Sequence, residues 1–171
     1  MHKSNPIGIF DSGYGGLTIL QSIKESLPDY DYLYLGDNAR APYGDRSFDV
    51  VYQYTLDAVK FLFNQGCSLV IVACNTSSAK ALRSIQQKDL KKIDPNKRVL
   101  GVIRPCVEEL AENKQINSVG IIGTLGTISS NSYGLEIKKY APKIKYVQHA
   151  CPLWVPLIEN EKQESEYGKE I

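Results

Sequence analysis

Hydrophobic residues along the chain form short apolar runs that alternate with stretches of helical spacing. The runs span residues 6–10, 30–35, 69–73, 99–103, 118–122 and 145–148. Each run has the length of a buried strand. Between them hydrophobic residues recur every three or four positions, most clearly over residues 48–63, which is typical of amphipathic helices. The alternation predicts an α/β fold with a mainly parallel sheet flanked by helices.

A charged segment separates the first three predicted strands from the last three. This segment, residues 88–97, contains Pro95 and Asn96 and is the best candidate for a domain junction. We therefore expect an N-terminal α/β domain over residues 1–97 and a second α/β domain over residues 98–171. The second domain is expected to be similar to the first, and residues 160–171, half of which are charged, predict no further strand.

Polar and reactive residues follow several of the predicted strands directly. They are Asp11-Ser12, Gly36-Asp37-Asn38, Cys74-Asn75-Thr76 and Thr124. Because the carboxyl ends of parallel strands meet at one edge of a sheet, where ligands of such folds bind, these side chains should converge. The sequence thus predicts a site that contains a thiol, carboxylates, hydroxyls and an amide.

Cys74 is the most informative of these residues. It ends an apolar run and precedes a predicted helix, whose start would favour the thiolate form of the side chain. Cys74 could equally be a small core residue, and the polar residues after it could be ordinary helix caps. Asp11 could cap the next helix, accept a proton from a nearby thiol, or bind an ammonium group. The residues alone leave these alternatives open.

Composition excludes several classes of partner. The chain has 171 residues, of which 43% are hydrophobic and 23% charged, and its net charge is +1. This balance gives no electrostatic footprint for nucleic acid. No apolar run approaches the roughly 20 residues that span a bilayer, and the N-terminus does not resemble a signal peptide. We expect a cytoplasmic protein without a nucleic-acid or membrane partner.

The cysteines and glycines give little support to a metal or nucleotide site. In a cytosolic chain the four cysteines are expected to be thiols, with Cys67 and Cys106 in the core. They form no C-x-x-C pair, and His2 and His149 are the only histidines, so we expect no metal. The glycines after Asp11 match neither G-x-G-x-x-G nor a P-loop. The segment after Cys74 offers a lysine rather than the arginine of a phosphatase loop.

Several segments together resemble bacterial glutamate racemases. They are residues 9–18 (IFDSGYGGLT), 36–44 (GDNARAPYG), 73–78 (ACNTSS), 122–128 (IGTLGTI) and 150–153 (ACPL). They occur in the order and spacing of that family, from residue 7 to about residue 159. Taken together they are highly specific, although none would be specific alone.

This resemblance implies a cofactor-independent isomerase that interconverts L- and D-glutamate and supplies D-glutamate for peptidoglycan synthesis. The resemblance also implies a homodimer for the full-length protein. Racemisation removes the weakly acidic α-proton from one face of the substrate and delivers another to the opposite face. Two bases on opposite sides of the substrate do this without pyridoxal phosphate. Hydrogen-bond donors around the substrate carboxylate stabilise the charge that develops.

The resemblance also implies roles for individual residues. Cys74 is the base that deprotonates D-glutamate, and Asp11 assists it. Glu159 matches a position near the second base. The implied substrate-binding residues are Ser12, Pro42, Tyr43, Gly44, Asn75, Thr76, Thr124, Thr127 and Glu159.

The sequence departs from the family pattern in one respect. The family carries its second catalytic cysteine in a Gly-Cys-Thr-His segment, which does not occur in these 171 residues. Cys151 lies in the segment ACPL, whose cysteine is not catalytic in the family. We therefore expect a glutamate racemase truncated at its C-terminal side, with an incomplete second domain and impaired or lost activity. The alternatives are an inactive fragment or non-catalytic domain that binds an acidic amino acid, and an aspartate racemase, which the segment Pro42-Tyr43-Gly44 disfavours.

Overall fold

The computed structural model describes residues 5–170, in which strands and helices alternate. The strands are β1 (Ile7–Asp11), β2 (Tyr32–Gly36), β3 (Leu69–Val72), β4 (Arg98–Gly101), β5 (Ser118–Gly123) and β6 (Lys145–Ala150). The helices are α1 (Gly16–Ser26), α2 (Phe48–Asn64), α3 (Asn75–Lys80), α4 (Leu82–Ser84), α5 (Leu90–Ile93), α6 (Ile103–Glu112), α7 (Leu125–Ser129), α8 (Ser132–Tyr140), α9 (Trp154–Glu159) and α10 (Glu166–Glu170). A π-helical turn, Ile85–Asp89, separates α4 from α5. The predicted α/β fold is confirmed.

The first sheet contains four parallel strands in the order β2-β1-β3-β4. Its central strand β1 is buried at every position, as expected where helices cover both faces of a parallel sheet. On one face, Phe10 and Val72 belong to a core that includes Leu62 of α2. On the other face, Ile9 packs with residues of α1 such as Leu20. This sheet therefore has a hydrophobic core on each side.

The second sheet consists of the parallel strands β5 and β6 alone. In both strands partly buried and exposed residues alternate. The partly buried face packs against α6 and α8 around Val107, Ile137 and Ile144. Only one face of this sheet is covered within residues 5–170.

The predicted boundary between residues 97 and 98 does not coincide with the division between the sheets. Strand β4 pairs with β3, with Arg98 opposite Leu69, and therefore belongs to the first sheet. The reason is that Val99 is buried in the first core. The predicted fourth strand also ends earlier, because Ile103 begins α6. We propose that the domain boundary follows Gly101.

Strands of the first sheet end together at one edge. Past the last paired residues, Ala73 N donates to Phe10 O at 2.8 Å, and Asp37 N donates to Asp11 O at 2.9 Å. These bonds hold the residues after β1, β2 and β3 side by side, which positions the candidate site. No helix within residues 5–170 combines the length and the apolar character needed to cross a membrane.

Candidate active site

A cavity of about 720 Å³ lies at the carboxyl ends of β1, β3 and β5. Asp37 and Asn38, which were also predicted to converge at the site, are not part of its wall. The structure brings every site residue that the resemblance implies to this wall. These residues are Asp11, Ser12, Pro42, Tyr43, Gly44, Cys74, Asn75, Thr76, Thr124, Thr127 and Glu159. Residues from both sheets therefore share one site.

Cys74 lies where β3 passes into α3. It is the N-cap residue of α3, and its Sγ accepts a hydrogen bond from Ser77 N at 3.4 Å. The hydroxyl of Ser12 lies 3.4 Å from the same sulfur. The side chain is largely buried but lines the cavity. Cys74 is therefore both a buried residue and a residue of the site, the two alternatives that the sequence left open. Both neighbours can donate to a sulfur that carries negative charge.

Asp11 is buried at the end of β1. Its Oδ2 accepts from Gly13 N at 2.9 Å. Within residues 5–170 no hydrogen bond joins Asp11 to Cys74, and the side chain beside the thiol is the Ser12 hydroxyl. A Cβ atom on Gly16 would lie 2.6 Å from Asp11 Cβ, so the glycine allows α1 to begin against this carboxylate. The role of Asp11 as the helper of Cys74 stays a prediction.

Tyr34 is a site neighbour that the sequence analysis missed. Its hydroxyl donates to Gly13 O at 2.9 Å. Burial, followed by the negative charges of Asp11 and Cys74, raises the pKa of Tyr34 to about 12. The strand pattern placed Tyr34 in a run of apolar residues, and nothing in that pattern indicated where its hydroxyl would lie.

The loop that carries Pro42, Tyr43 and Gly44 is fixed by a charged pair. The hydroxyl of Tyr43 donates to the carboxylate of Asp37, which also accepts from Arg40 Nε at 2.5 Å. Burial and this hydrogen bond to Asp37 raise the pKa of Tyr43 above its usual range. Tyr43 is only 1% exposed. It therefore supports the loop with its ring and hydroxyl, while its neighbours Pro42 and Gly44 complete this part of the wall.

Threonine hydroxyls join the two sheets at the cavity. Thr76 Oγ1 lies 2.8 Å from Thr124 Oγ1, which lies 3.0 Å from Thr127 Oγ1. Thr124 also caps α7 by accepting from Thr127 N at 3.2 Å. Nearby, Gly126 N donates to Gly44 O at 2.9 Å. The N-terminal turn of α7 is thus bonded to both α3 and the Pro42 loop.

Glu159 reaches the site from the end of α9. A Cβ atom on Gly13 would lie 3.6 Å from Glu159 Oε1 and 3.9 Å from Asp11 Oδ2. The Asp11 and Glu159 carboxylates therefore approach the same glycine from the two halves of the molecule.

The remaining thiols differ from one another in location. Cys67 is buried as expected, but the prediction of a core position for Cys106 is wrong, because Cys106 is exposed. On α6 its neighbour Val107 fills the second core, which turns Cys106 toward the cavity. Cys151 also lines the cavity, and all four cysteines are free. Within residues 5–170 no group of three or more His, Cys, Asp or Glu side chains is placed to hold a metal ion.

Fold and site together define an α/β protein whose buried thiol lies among hydroxyls and carboxylates at the edge of a parallel sheet. The chain belongs to the Asp/Glu/hydantoin racemase family, which matches residues 8–169. It is 46% identical over 153 residues to a glutamate racemase of Geobacter metallireducens, covering 90% of this chain and 54% of the relative. The predicted family resemblance is confirmed.

Solved structures of glutamate racemases have the same fold. An isoform from Bacillus anthracis superposes with a TM-score of 0.88 at 35% identity, covering 99% of this chain and 61% of the other. The enzyme of Francisella tularensis in complex with D-glutamate gives a TM-score of 0.83 at 37% identity, covering 96% and 60%. The chain thus spans about 60% of the length of these relatives.

Proposed function

We propose that these residues form the Cys74 half of a glutamate racemase active site. The observation that carries the proposal is the Cys74 thiol beside the Ser12 hydroxyl and the Ser77 N–H, in a cavity lined by every residue that the resemblance implies. Further support comes from relatives that are named glutamate racemases, and from one that was solved with D-glutamate.

In the proposed reaction the Cys74 thiolate takes the α-proton of D-glutamate. The S–H bond forms as the C–H bond breaks, and the electron pair moves onto the α-carbon and its carboxylate. Asn75, Thr76 and Thr124 carry donors on the cavity wall that can stabilise this charge. Asp11, which lines the same cavity, would assist the Cys74 thiol in this proton transfer.

Inversion needs a proton delivered from the opposite face. The family resemblance assigns that proton to a cysteine in a Gly-Cys-Thr-His segment, which is not among these 171 residues. We therefore propose that this stretch of chain exchanges the α-proton of D-glutamate but supplies only one of the two bases. Glu159 would assist on the side of the second base.

The biological setting follows from the family role. We propose that the protein supplies D-glutamate for peptidoglycan synthesis in the cytoplasm, and that it acts as a homodimer. The family membership supports this proposal. Sedimentation at several concentrations tests the dimer, and a monomer at all of them would contradict it.

Deuterium exchange tests the proposed chemistry. The protein is incubated in D₂O with D-glutamate, L-glutamate or D-aspartate, and NMR follows loss of the α-proton while a chiral assay follows inversion. We expect exchange with D-glutamate only, little inversion, and loss of exchange in Cys74→Ser. Cys67→Ala is the matched control, since it removes a buried thiol outside the cavity.

The other outcomes separate the alternatives. Exchange that persists in Cys74→Ser contradicts the assigned base, and faster exchange of aspartate favours an aspartate racemase. A folded protein that binds D-glutamate without exchanging its α-proton is a binding domain rather than part of an enzyme.

A further inference from the structure

We propose that Tyr133 is a positioning residue that orients the Asn75 amide so that its N–H donors face the cavity. The contact joins the two halves of the molecule, since Asn75 begins α3 and Tyr133 lies in the first turn of α8. The inference rests on the proposed function, because the acceptor that these donors would serve is the carboxylate of a bound amino acid.

The structure gives the amide one orientation, with its carbonyl oxygen toward Tyr133. The Tyr133 hydroxyl donates to Asn75 Oδ1 at 2.7 Å. An asparagine side chain presents a carbonyl on one side and two N–H donors on the other. Because the carbonyl is occupied, the donors point away from Tyr133, and within residues 5–170 they form no hydrogen bond. The reversed amide would offer an oxygen to an anionic ligand and repel it.

Tyr133 is held firmly enough to act in this way. Its neighbour Ser132 donates to Ala79 O at 2.9 Å, which ties the start of α8 to the end of α3. Its other neighbour, Gly134, packs so closely that a Cβ atom there would lie 2.6 Å from the Tyr146 hydroxyl. The first turn of α8 is therefore fixed on both sides, and the position of the Tyr133 hydroxyl with it.

Asn75, by contrast, has a fixed backbone and an exposed side chain. The residues on either side of it, Cys74 and Thr76, are both hydrogen-bonded in the site. Without Tyr133 the exposed amide would sample several rotamers, and a ligand would bear the cost of ordering it. Burial, followed by the charge of Cys106, raises the pKa of Tyr133 to about 12, so the hydroxyl stays a donor at neutral pH.

Side-chain NMR relaxation tests the orientation directly. The NH₂ signal of Asn75 is assigned by its loss in Asn75→Ala, and its order parameter is measured in wild type, Tyr133→Phe and Tyr140→Phe. Tyr140 is the matched control, because it lies on the same helix but outside the cavity wall. We expect an ordered amide in wild type and Tyr140→Phe, and a mobile one in Tyr133→Phe. A mobile amide in wild type, or an equally ordered one in Tyr133→Phe, overturns the inference.

Ligand binding supplies the second readout. We expect Tyr133→Phe to raise the Kd of D-glutamate by about 2- to 10-fold, as for the loss of one hydrogen bond, with a smaller change in the exchange rate at saturation. An unchanged Kd overturns the inference. If the wild-type protein does not bind D-glutamate, the proposed function fails, whereas the relaxation data still decide whether Tyr133 orients Asn75.

Discussion

The two sheets that meet at the cavity are built very differently. In the first, every residue of β1 is buried and hydrophobic cores cover both faces. In the second, two strands carry one covered face, and Ile122 and Val147 are 56% and 72% exposed. Two strands alone are marginally stable unless a helix packs against them. Cys74 and Asp11 thus lie at the end of the first sheet, which is covered on both faces. Thr124 and Tyr133 belong to the half that contains the second sheet, and they depend on contacts across the cavity.

The sharpest test of this difference is to shorten one side chain in each sheet. Phe10→Ala removes a fully buried ring from the first core and should lower the free energy of unfolding by about 3–5 kcal/mol. Val147→Ala, at an exposed position of β6, should change it by no more than about 0.5 kcal/mol. Urea unfolding followed by circular dichroism measures both. Similar losses in the two variants would mean that the sheets do not differ as described.

The contact between the halves is tested at Gly126. A Cβ atom there would lie 2.7 Å from Gly44 O, the atom that accepts from Gly126 N. Gly126→Ala should therefore push α7 away from the Pro42 loop, cost about 1–3 kcal/mol of stability, and weaken D-glutamate binding measured by calorimetry. Gly120→Ala is the matched control in β5, since its Cβ would meet nothing within 4 Å. Equal stability and equal D-glutamate affinity of the two variants would rule out this contact as the connection between the halves.

Sequence patterns predicted the parts of this fold that depend on residues close together in the sequence. A buried strand is a local apolar run, and a residue that follows it must lie at the edge of the sheet, so Asp11 and Cys74 could be assigned to one site. Pairing between distant strands has no such local signal. The charged segment before β4 therefore suggested a boundary, although Val99 completes the core of the first sheet.

Supporting contacts of the site were not predictable for the same reason. Tyr133 and Asn75 are 58 positions apart, and the helical spacing around Tyr133 says only that a helix is present. The pair of Asp37 and Tyr43 is closer in sequence. Even so, only the folded loop shows that the tyrosine hydroxyl donates to the Asp37 carboxylate.

A smaller effect, confined to alkaline pH, tests the burial of Tyr34 and the charges beside it on the thiol side. Because the pKa of Tyr34 is raised from 10.0 to about 12 in the folded protein, the folded state holds the hydroxyl proton more tightly than the unfolded state does. The resulting stabilisation is complete below about pH 10 and is lost as the pH rises to about 12. Unfolding free energies across this range should fall less steeply in Tyr34→Phe than in wild type. Tyr30→Phe, at an exposed tyrosine, is the control, and equal slopes in all three proteins would contradict the assignment.

The smallest effect is expected at the ion pair that links the halves. Arg83 Nη2 lies 3.6 Å from Glu136 Oε1, and the arginine side chain is 67% exposed. Such pairs contribute about 0–1 kcal/mol, so Glu136→Gln should leave stability and D-glutamate affinity nearly unchanged, at low and high salt alike. Glu108→Gln, which removes an ion pair within α6, is the matched control. The hydroxyl and backbone bonds of Thr124 and Gly126 carry no net charge. A large, salt-dependent loss of stability or of D-glutamate affinity in Glu136→Gln alone would therefore mean that charge, rather than these bonds, holds the two halves together.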